Sequence, residues 1–191
     1  MKTVGITGGI GSGKSIIGKV LTVMGFPVFY SDQEGKRLMT ENQTIIQQIE
    51  MLFGSDAYTD NQLNRAFIAS QIFKDESLKE QLNQIIHPAV RARLKNWAQE
   101  QSSPLVFNEA AILFETGSYK DFDYTILVTA SKETRILRII KRDKSSREEI
   151  LDRMNNQWKD EEKAKLASFM IVNNDKELVL PQLEAIIDKI S

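Results

Sequence analysis

Short apolar runs alternate with longer amphipathic stretches along this chain, and this alternation predicts strands separated by helices. Each short run spans three to six residues and is bounded by polar or turn-forming residues, as expected of buried strands. The predicted strands cover residues 4–6, 28–30, 104–108, 124–128 and 168–173. Because strands that alternate with helices form a parallel sheet covered on both faces, the pattern predicts a three-layer α/β/α fold with a mainly parallel five-stranded sheet.

Apolar side chains recur at intervals of three and four between those runs, which predicts helices with one buried face. The predicted helices cover residues 15–24, 45–53, 131–142 and 178–190. Gly25 follows the first of them and is expected to take the left-handed conformation that ends many helices. Ser146 and Glu149 have the spacing of a capping box, which predicts the start of another helix after a polar break.

About seventy residues separate Tyr30 from the next predicted strand, far more than a crossover helix needs. Residues 61–100 are amphipathic and helical in pattern, with an expected break at His87-Pro88 and Pro88 in the first turn of a new helix. We therefore predict one domain over residues 1–191 that contains a helical insertion at 55–101. In a nucleotide-binding enzyme, such an insertion is a natural place to hold a second substrate.

The first predicted strand leads into Gly8-Gly9-Ile10-Gly11-Ser12-Gly13-Lys14-Ser15, which fits the phosphate-loop pattern G-x-x-x-x-G-K-[ST]. Its glycines let backbone N–H groups point at phosphate oxygens, and the following helix presents its positive end to the same anion. Lys14 is expected to reach the β- and γ-phosphates and Ser15 to ligate Mg²⁺. The alternative is a glycine-rich turn with a solvated lysine. The strand before and the helix after favour the phosphate site.

Two carboxylates follow predicted strands, where a doubly wound sheet binds its ligands. Asp32 could orient an acceptor hydroxyl near the γ-phosphate, or Ser31 or Asp32 could cap the next helix. Glu109 could hold a water molecule of the Mg²⁺ shell, or it could serve as an ordinary loop acid or helix cap. Pattern alone leaves both pairs of alternatives open.

The predicted helix at 131–142 carries Arg135, Arg138 and Arg142 on one face. A polar break and a further helix follow it, so residues from about 138 to 150 could form a lid over phosphates. Guanidinium groups suit such a lid because they stay charged and present forked donors. The alternative is a solvated face whose arginines pair with nearby glutamates.

Charge and composition exclude several classes of function. The net charge is −1, so there is no broad basic surface for nucleic acid. The absence of cysteine excludes disulfides and thiolate chemistry, and a single histidine excludes a multi-histidine metal site. No apolar run is long enough for a membrane helix, and no signal peptide precedes the first strand. We therefore expect a cytoplasmic protein that acts without membrane or nucleic acid.

Among phosphate-loop proteins, a small-molecule kinase fits the residues better than a GTPase or a motor ATPase. The segment Asn173-Asn174-Asp175-Lys176 has the wrong order for the guanine-reading N-K-x-D, and no D-x-x-G follows the strand that ends at Asn108. A motor would show a pair of acids at the end of a Walker B strand, where only Glu109 is present. Chain length, insertion and arginine lid all agree with a kinase.

At this level of detail the chain resembles the dephospho-CoA kinase family, within the phosphate-loop nucleoside and nucleotide kinases. The opening V-G-I-T-G-G-I-G-S-G-K-S is similar to that family's N-terminal signature. Further matches, in family order, are residues 28–36 with Asp32 on the second acid of D-A-D, Leu63-Asn64-Arg65, Ile86-His87-Pro88, residues 109–115 on P-L-L-F-E, Arg138-x-x-x-Arg142-Asp143 and Arg153-x-x-x-Gln157. Tyr30 replaces the first acid of D-A-D, Ala111 the proline, and Lys36 a common arginine.

The resemblance implies transfer of the ATP γ-phosphate to the ribose 3′-hydroxyl of dephospho-CoA, with Mg²⁺ and no obligate protein partner. The catalytic residues implied are Lys14, Asp32, Arg138 and Arg142. The nucleotide-binding residues implied are Gly8, Gly9, Gly11, Ser12, Gly13, Lys14, Ser15, Ile16, Arg138 and Arg142, with Ser15 on the metal. The acceptor-binding residues implied are Asp32, Lys36, Arg65, His87 and Glu109, although a lone histidine such as His87 also commonly has a purely structural role.

Overall fold

The computed structural model describes all 191 residues, and strands and helices alternate along most of it. The strands are β1 (Lys2–Thr7), β2 (Val28–Tyr30), β3 (Tyr58–Thr59), β4 (Gln62–Leu63), β5 (Leu105–Glu109), β6 (Tyr124–Thr129) and β7 (Phe169–Val172). The helices are α1 (Lys14–Val23), α2 (Ser31–Glu41), α3 (Gln43–Phe53), α4 (Arg65–Lys74), α5 (Ser77–Gln99), α6 (Lys132–Asp143), α7 (Arg147–Asn155), α8 (Asp160–Ala164) and α9 (Val179–Ile190). None of these helices is both long enough and apolar enough to cross a membrane.

Five parallel strands form one sheet in the order β2-β5-β1-β6-β7. Val4 and Ile6 of β1 are fully buried and belong to an apolar core with residues of α1 and α9. On the other face, a Cβ at Gly5 would lie 2.8 Å from Leu113, so the segment after β5 packs close to the sheet there. The predicted three-layer α/β/α fold with a parallel five-stranded sheet is confirmed.

The register of the sheet brings the carboxyl ends of its central strands to one edge. Ile6 of β1 pairs with Glu109 of β5, and Thr7 pairs with Leu127 of β6. The phosphate-loop segment follows β1 directly, so it begins at this edge. The sheet and its covering segments make up one compact unit, Met1–Tyr30 with Gln101–Ser191.

The second compact unit is Ser31–Glu100, which contains α2 to α5 and the β3–β4 hairpin. It begins earlier in the chain than the insertion predicted at 55–101, because α2 and α3 pack against α5. The hairpin was not predicted. Asp60 and Asn61 link its two strands, and both have positive φ, as a two-residue turn of type I′ requires.

The predicted break at His87-Pro88 is wrong, since α5 runs without interruption from Ser77 to Gln99 with Pro88 inside it. A proline in a helix interior costs about 3 kcal/mol. Two buried neighbours on α5, Ile86 and Val90, lie against Gly35 of α2, where an added Cβ would be 3.5 and 3.6 Å from them. Burial of each such side chain contributes about 1.5–3 kcal/mol, which together offsets the cost of the proline.

Candidate active site

The segment between β1 and α1 folds into a tight loop. The Ser12 N–H donates to the Gly9 carbonyl at 3.0 Å, and α1 begins immediately afterwards at Lys14. Gly13 has a φ of 92°, and a Cβ there would collide with the side-chain amide of Asn173. Glycine is therefore required at this position by both conformation and space.

The amino end of α1 is open to an anion. No side chain caps the helix, and its first turn contains no acidic residue. The unpaired N–H groups of a helix start attract negative charge together with the helix dipole. This is the arrangement in which a phosphate binds.

Lys14 lies beside a buried carboxylate. Its Nζ is 3.8 Å from Oε1 of Glu109, and the two side chains are 15% and 6% exposed. The contact arises because Glu109 ends β5, which pairs with β1 just before the loop. At this distance the two opposite charges attract each other without forming a hydrogen bond.

Two long-range contacts fix the carbonyl of Ser12. Asn173, buried just after β7, donates to it from Nδ2 at 2.8 Å, and Arg138 of α6 approaches with Nη1 at 3.4 Å. Arg138 also donates to Asp175 at 2.9 Å. The structure therefore brings Arg138 to the loop, and its part in a lid over phosphates stays a prediction. The contact of Asn173 with the loop could not be predicted from the sequence, because its partner lies 161 residues away.

The other predicted lid arginine, Arg142, is bound to its chain neighbour. Its Nε and Nη2 donate to Asp143 at 2.6 and 2.9 Å, and the side chain is 64% exposed. Arg142, with Arg153 nearby, lowers the pKa of Asp143 to about 2. The contact of Arg142 with a phosphate stays a prediction. The predicted capping box of Ser146 and Glu149 is present at the start of α7.

Two side chains in the first turn of α1 that are predicted to bind the nucleotide make no hydrogen bond within the protein. Ser15 is exposed, and its hydroxyl makes no hydrogen bond within the protein. Ile16 is apolar and 52% exposed. Both therefore remain available to a ligand at the loop.

Tyr30, which stands where the family pattern has an acid, has a packing role at the end of β2. Its ring lies against Gly18 of α1, where an added Cβ would be 3.1 Å from Cε1 and Oη. The absence of a side chain at Gly18 lets the Tyr30 ring pack against α1.

In the unit Ser31–Glu100, Asp32 lies within the first turn of α2 and is exposed. Its carboxylate accepts no hydrogen bond from the backbone of that helix, and the alternative that Ser31 or Asp32 caps α2 stays a prediction. Lys36 on α2 and Arg65 at the start of α4 are also exposed, with no ion pair. Their roles stay predictions.

His87 is half-buried on α5, and its electrostatic surroundings include Asp32. Burial lowers the pKa of His87 below its ordinary 6.5, the positive charge of Arg91 lowers it further, and the Asp32 carboxylate opposes both effects. The structure thus brings two predicted acceptor residues, Asp32 and His87, into electrostatic contact. Arg91 was not predicted, because an exposed arginine on a helix has no distinguishing pattern.

We expect His87 to make the folded chain less stable as the pH falls. Because its pKa is lower in the folded than in the unfolded state, the unfolded chain binds more protons between the two values, and acidification through the ordinary histidine pKa favours unfolding. The His87→Gln variant should lose less in Tm than wild type between about pH 7.5 and 5.5. Equal losses in both proteins would contradict the assignment.

The same histidine reports on Asp32, since it is the only one in the chain. Its ring-proton NMR signal should give a lower pKa in Asp32→Asn than in wild type, because the opposing carboxylate charge is gone. Asp56→Asn, which removes another acid of the same unit, is the matched control and should leave the pKa of His87 unchanged. An unchanged pKa in Asp32→Asn would show that the two side chains do not interact.

Comparison with known proteins shows what this chain is similar to. The family model for dephospho-CoA kinase matches residues 2–178. The dephospho-CoA kinase of Porphyromonas gingivalis is 39% identical over 191 residues, covering 100% of this chain and 95% of that protein. The crystal structure of TT1252 from Thermus thermophilus has a TM-score of 0.85 and 33% identity over 99% of this chain and 95% of that one. The dephospho-CoA kinase from Campylobacter jejuni has a TM-score of 0.72 and 26% identity, with 99% and 96% covered.

The parallel sheet, the glycine loop and the lysine at the start of α1 define a phosphate-loop kinase. The family match spans nearly the whole chain in one continuous stretch. This chain belongs to the dephospho-CoA kinase family, and it is accordingly an enzyme that uses ATP.

Proposed function

We propose that this enzyme transfers the γ-phosphate of ATP to the ribose 3′-hydroxyl of dephospho-CoA, which gives coenzyme A in the last step of its biosynthesis. The observation that carries the proposal is the position of Lys14, which lies beside buried Glu109 at the uncapped amino end of α1. The chain's membership of this family agrees with it. The names of its relatives supply the acceptor.

The phosphates of ATP would bind to the loop of residues 8–13 and to the amino end of α1. A bound Mg²⁺ ion would neutralise phosphate charge. The residues present fit a hard cation, because Ser15 presents a hydroxyl without an internal partner and Glu109, at the neighbouring strand end, would hold a water molecule of the metal's shell.

Lys14 and the arginines supply the positive charge that phosphoryl transfer demands. The transition state spreads negative charge over the transferring group, and fixed cations stabilise it. Lys14 meets this need from the loop, with its ammonium oriented by Glu109. Arg138 already lies at Ser12, and Arg142 would join it by releasing Asp143, which would also exclude water.

The acceptor would be handled by residues of the unit Ser31–Glu100. Asp32 would orient the 3′-hydroxyl and take its proton, a role that fits a carboxylate without internal hydrogen bonds. In a loose transition state its placement matters more than its basicity. Lys36, Arg65 and His87 would hold the rest of dephospho-CoA. Because both substrates are polar metabolites, we propose a cytoplasmic enzyme that needs no nucleic acid, membrane or obligate protein partner.

An acceptor panel tests the proposal. Purified enzyme with ATP and Mg²⁺ is given dephospho-CoA, AMP, adenosine, shikimate or no acceptor, and ADP release is measured for each. We expect kcat/KM for dephospho-CoA to exceed that for every other acceptor. A dominant reaction with another nucleotide, nucleoside or metabolite would instead identify a different kinase on the same fold. Release of ADP without any acceptor dependence would contradict the function.

A further inference from the structure

Ile10 of the phosphate loop is held on all sides by the region that follows β6. Its side chain packs against an apolar cluster of Ile136, Ile139 and Ile150, which are buried on α6 and α7. Its N–H donates to Oε1 of Gln157, just after α7, at 2.8 Å. Its carbonyl accepts a hydrogen bond from a side chain of α6. Side chain and both backbone groups of one loop residue are thus engaged.

The donor to the Ile10 carbonyl is Arg135, whose Nε lies 2.9 Å from it. The same guanidinium donates from Nη1 to Asp160 at 3.2 Å and occupies the space where a Cβ of Gly9 would stand. Arg135 is only 8% exposed. Arg135 is therefore a buried residue that contacts the loop, whereas Arg138 and Arg142 on the same helix are more exposed.

Asp160, the partner of Arg135, lies among further charged groups. Asp160 opens α8, and three residues later Lys163 is fully buried with Nζ 2.6 Å from Oε1 of Glu115. Burial raises the pKa of Asp160 in spite of the cations Arg135 and Lys163, with the acids Glu161 and Glu115 adding to the rise. Buried ion pairs contribute little net stability because desolvation offsets their attraction. Their value here lies in the position that they impose.

That position matters because the loop residues after Ile10 supply the N–H groups that receive phosphate. A shift of Ile10 would turn those groups away, and a misplacement of about 1 Å can cost 10²-fold in rate. We propose that Gln157 and Arg135 are positioning residues for phosphoryl transfer, which act on the phosphate loop through the two backbone groups of Ile10. The proposal rests on the kinase function above for its kinetic readout.

Gln157→Met provides the test, because methionine has nearly the same length and shape but cannot accept the N–H of Ile10. We expect kcat/KM for ATP to fall by about 10²-fold, with the KM for dephospho-CoA within about twofold of wild type. Arg135→Lys keeps the charge next to Asp160 but cannot bond both partners through one planar fork, so it should behave alike. A purely structural role would lower Tm and leave kcat/KM within about twofold of wild type.

Asp123→Ala is the matched control for lost stability. Asp123 accepts the N–H of Thr3 at 2.6 Å, so its loss also leaves a backbone donor of this unit unpaired, at the amino end of β1, away from the loop. It should lower Tm without changing kcat/KM. An equal fall in kcat/KM for Asp123→Ala and Gln157→Met would contradict the positioning role.

Calorimetric titration with MgADP separates this proposal from the acceptor assignment, since it needs no turnover. Gln157→Met should weaken MgADP binding by about fivefold or more, which corresponds to about 1 kcal/mol. A smaller change in Kd, together with unchanged kcat/KM, would overturn the proposal. If wild type does not phosphorylate dephospho-CoA, the proposed function fails while the Kd still decides the role of Gln157.

Discussion

Replacement of Lys14 by alanine is expected to lower kcat/KM for ATP by about 10²- to 10³-fold, the usual cost of losing one transition-state donor. Lys14 directly follows the glycine loop, and its Nζ is oriented by Glu109 at 3.8 Å. Alanine would remove that charge from the site where the phosphates of ATP would bind.

Lys19→Ala is the matched control for this prediction. Lys19 lies on the same helix and is exposed, so its removal changes the net charge equally without touching the loop. It should retain kcat/KM for ATP within about twofold. If Lys14→Ala behaved like Lys19→Ala, the loop would not be a phosphate site for catalysis, and the alternative of a glycine-rich turn with a solvated lysine would stand.

Asp32→Asn is expected to lower kcat by about 10²- to 10⁴-fold, the range typical of a lost general base. Asparagine has the same shape but cannot accept a proton from the acceptor hydroxyl. Because Asp32 makes no internal hydrogen bond, the substitution leaves no protein group without its partner. The KM for ATP should therefore change little, and the loss should fall on kcat in steady-state measurements with dephospho-CoA.

Tm distinguishes catalysis from a structural role of Asp32. An acid in the first turn of a helix stabilises it through the helix dipole by about 0.3–1 kcal/mol, so a small fall in Tm is compatible with either role. A drop in kcat of only a few-fold, together with a clear fall in Tm, would assign Asp32 to α2 alone. Asp56→Asn should change neither quantity appreciably.

Much of the fold could be predicted because its signals are local. The short apolar run of residues 28–30 is β2, and Gly25 before it has the expected positive φ of 89°. Ser146 and Glu149 form the predicted capping box, since both partners lie within one turn. Periods, caps and turn residues act over a few positions, and the sequence displays those positions directly.

The errors arose where tertiary packing outweighs local preference. Pro88 predicts a helix boundary, but burial of its neighbours Ile86 and Val90 against α2 keeps α5 continuous. The β3–β4 hairpin was missed because its strands have two residues each, too few for an alternating pattern.

Residues of the candidate site could likewise be predicted where a local motif contains them, but not where long-range contacts place them. The phosphate loop has its own motif, so Lys14 and Ser15 could be found from the sequence alone. Arg135 stood out only as one of several arginines on a helical face, and nothing in its pattern showed that it is buried against Ile10. Its partner lies 125 residues away, and that of Gln157 lies 147 residues away. Contacts of this range are formed by the fold and leave no local trace.

The central claim is most directly tested by analysis of the reaction product. Enzyme, ATP, Mg²⁺ and dephospho-CoA are incubated, and the product is fragmented in a mass spectrometer. We expect a product heavier by one phosphoryl group, located on the adenosine ribose at the 3′-position and identical to authentic coenzyme A, with Lys14→Ala giving almost none. Unmodified dephospho-CoA after prolonged incubation with active, ATP-binding enzyme would contradict it, as would a phosphoryl group at any other position.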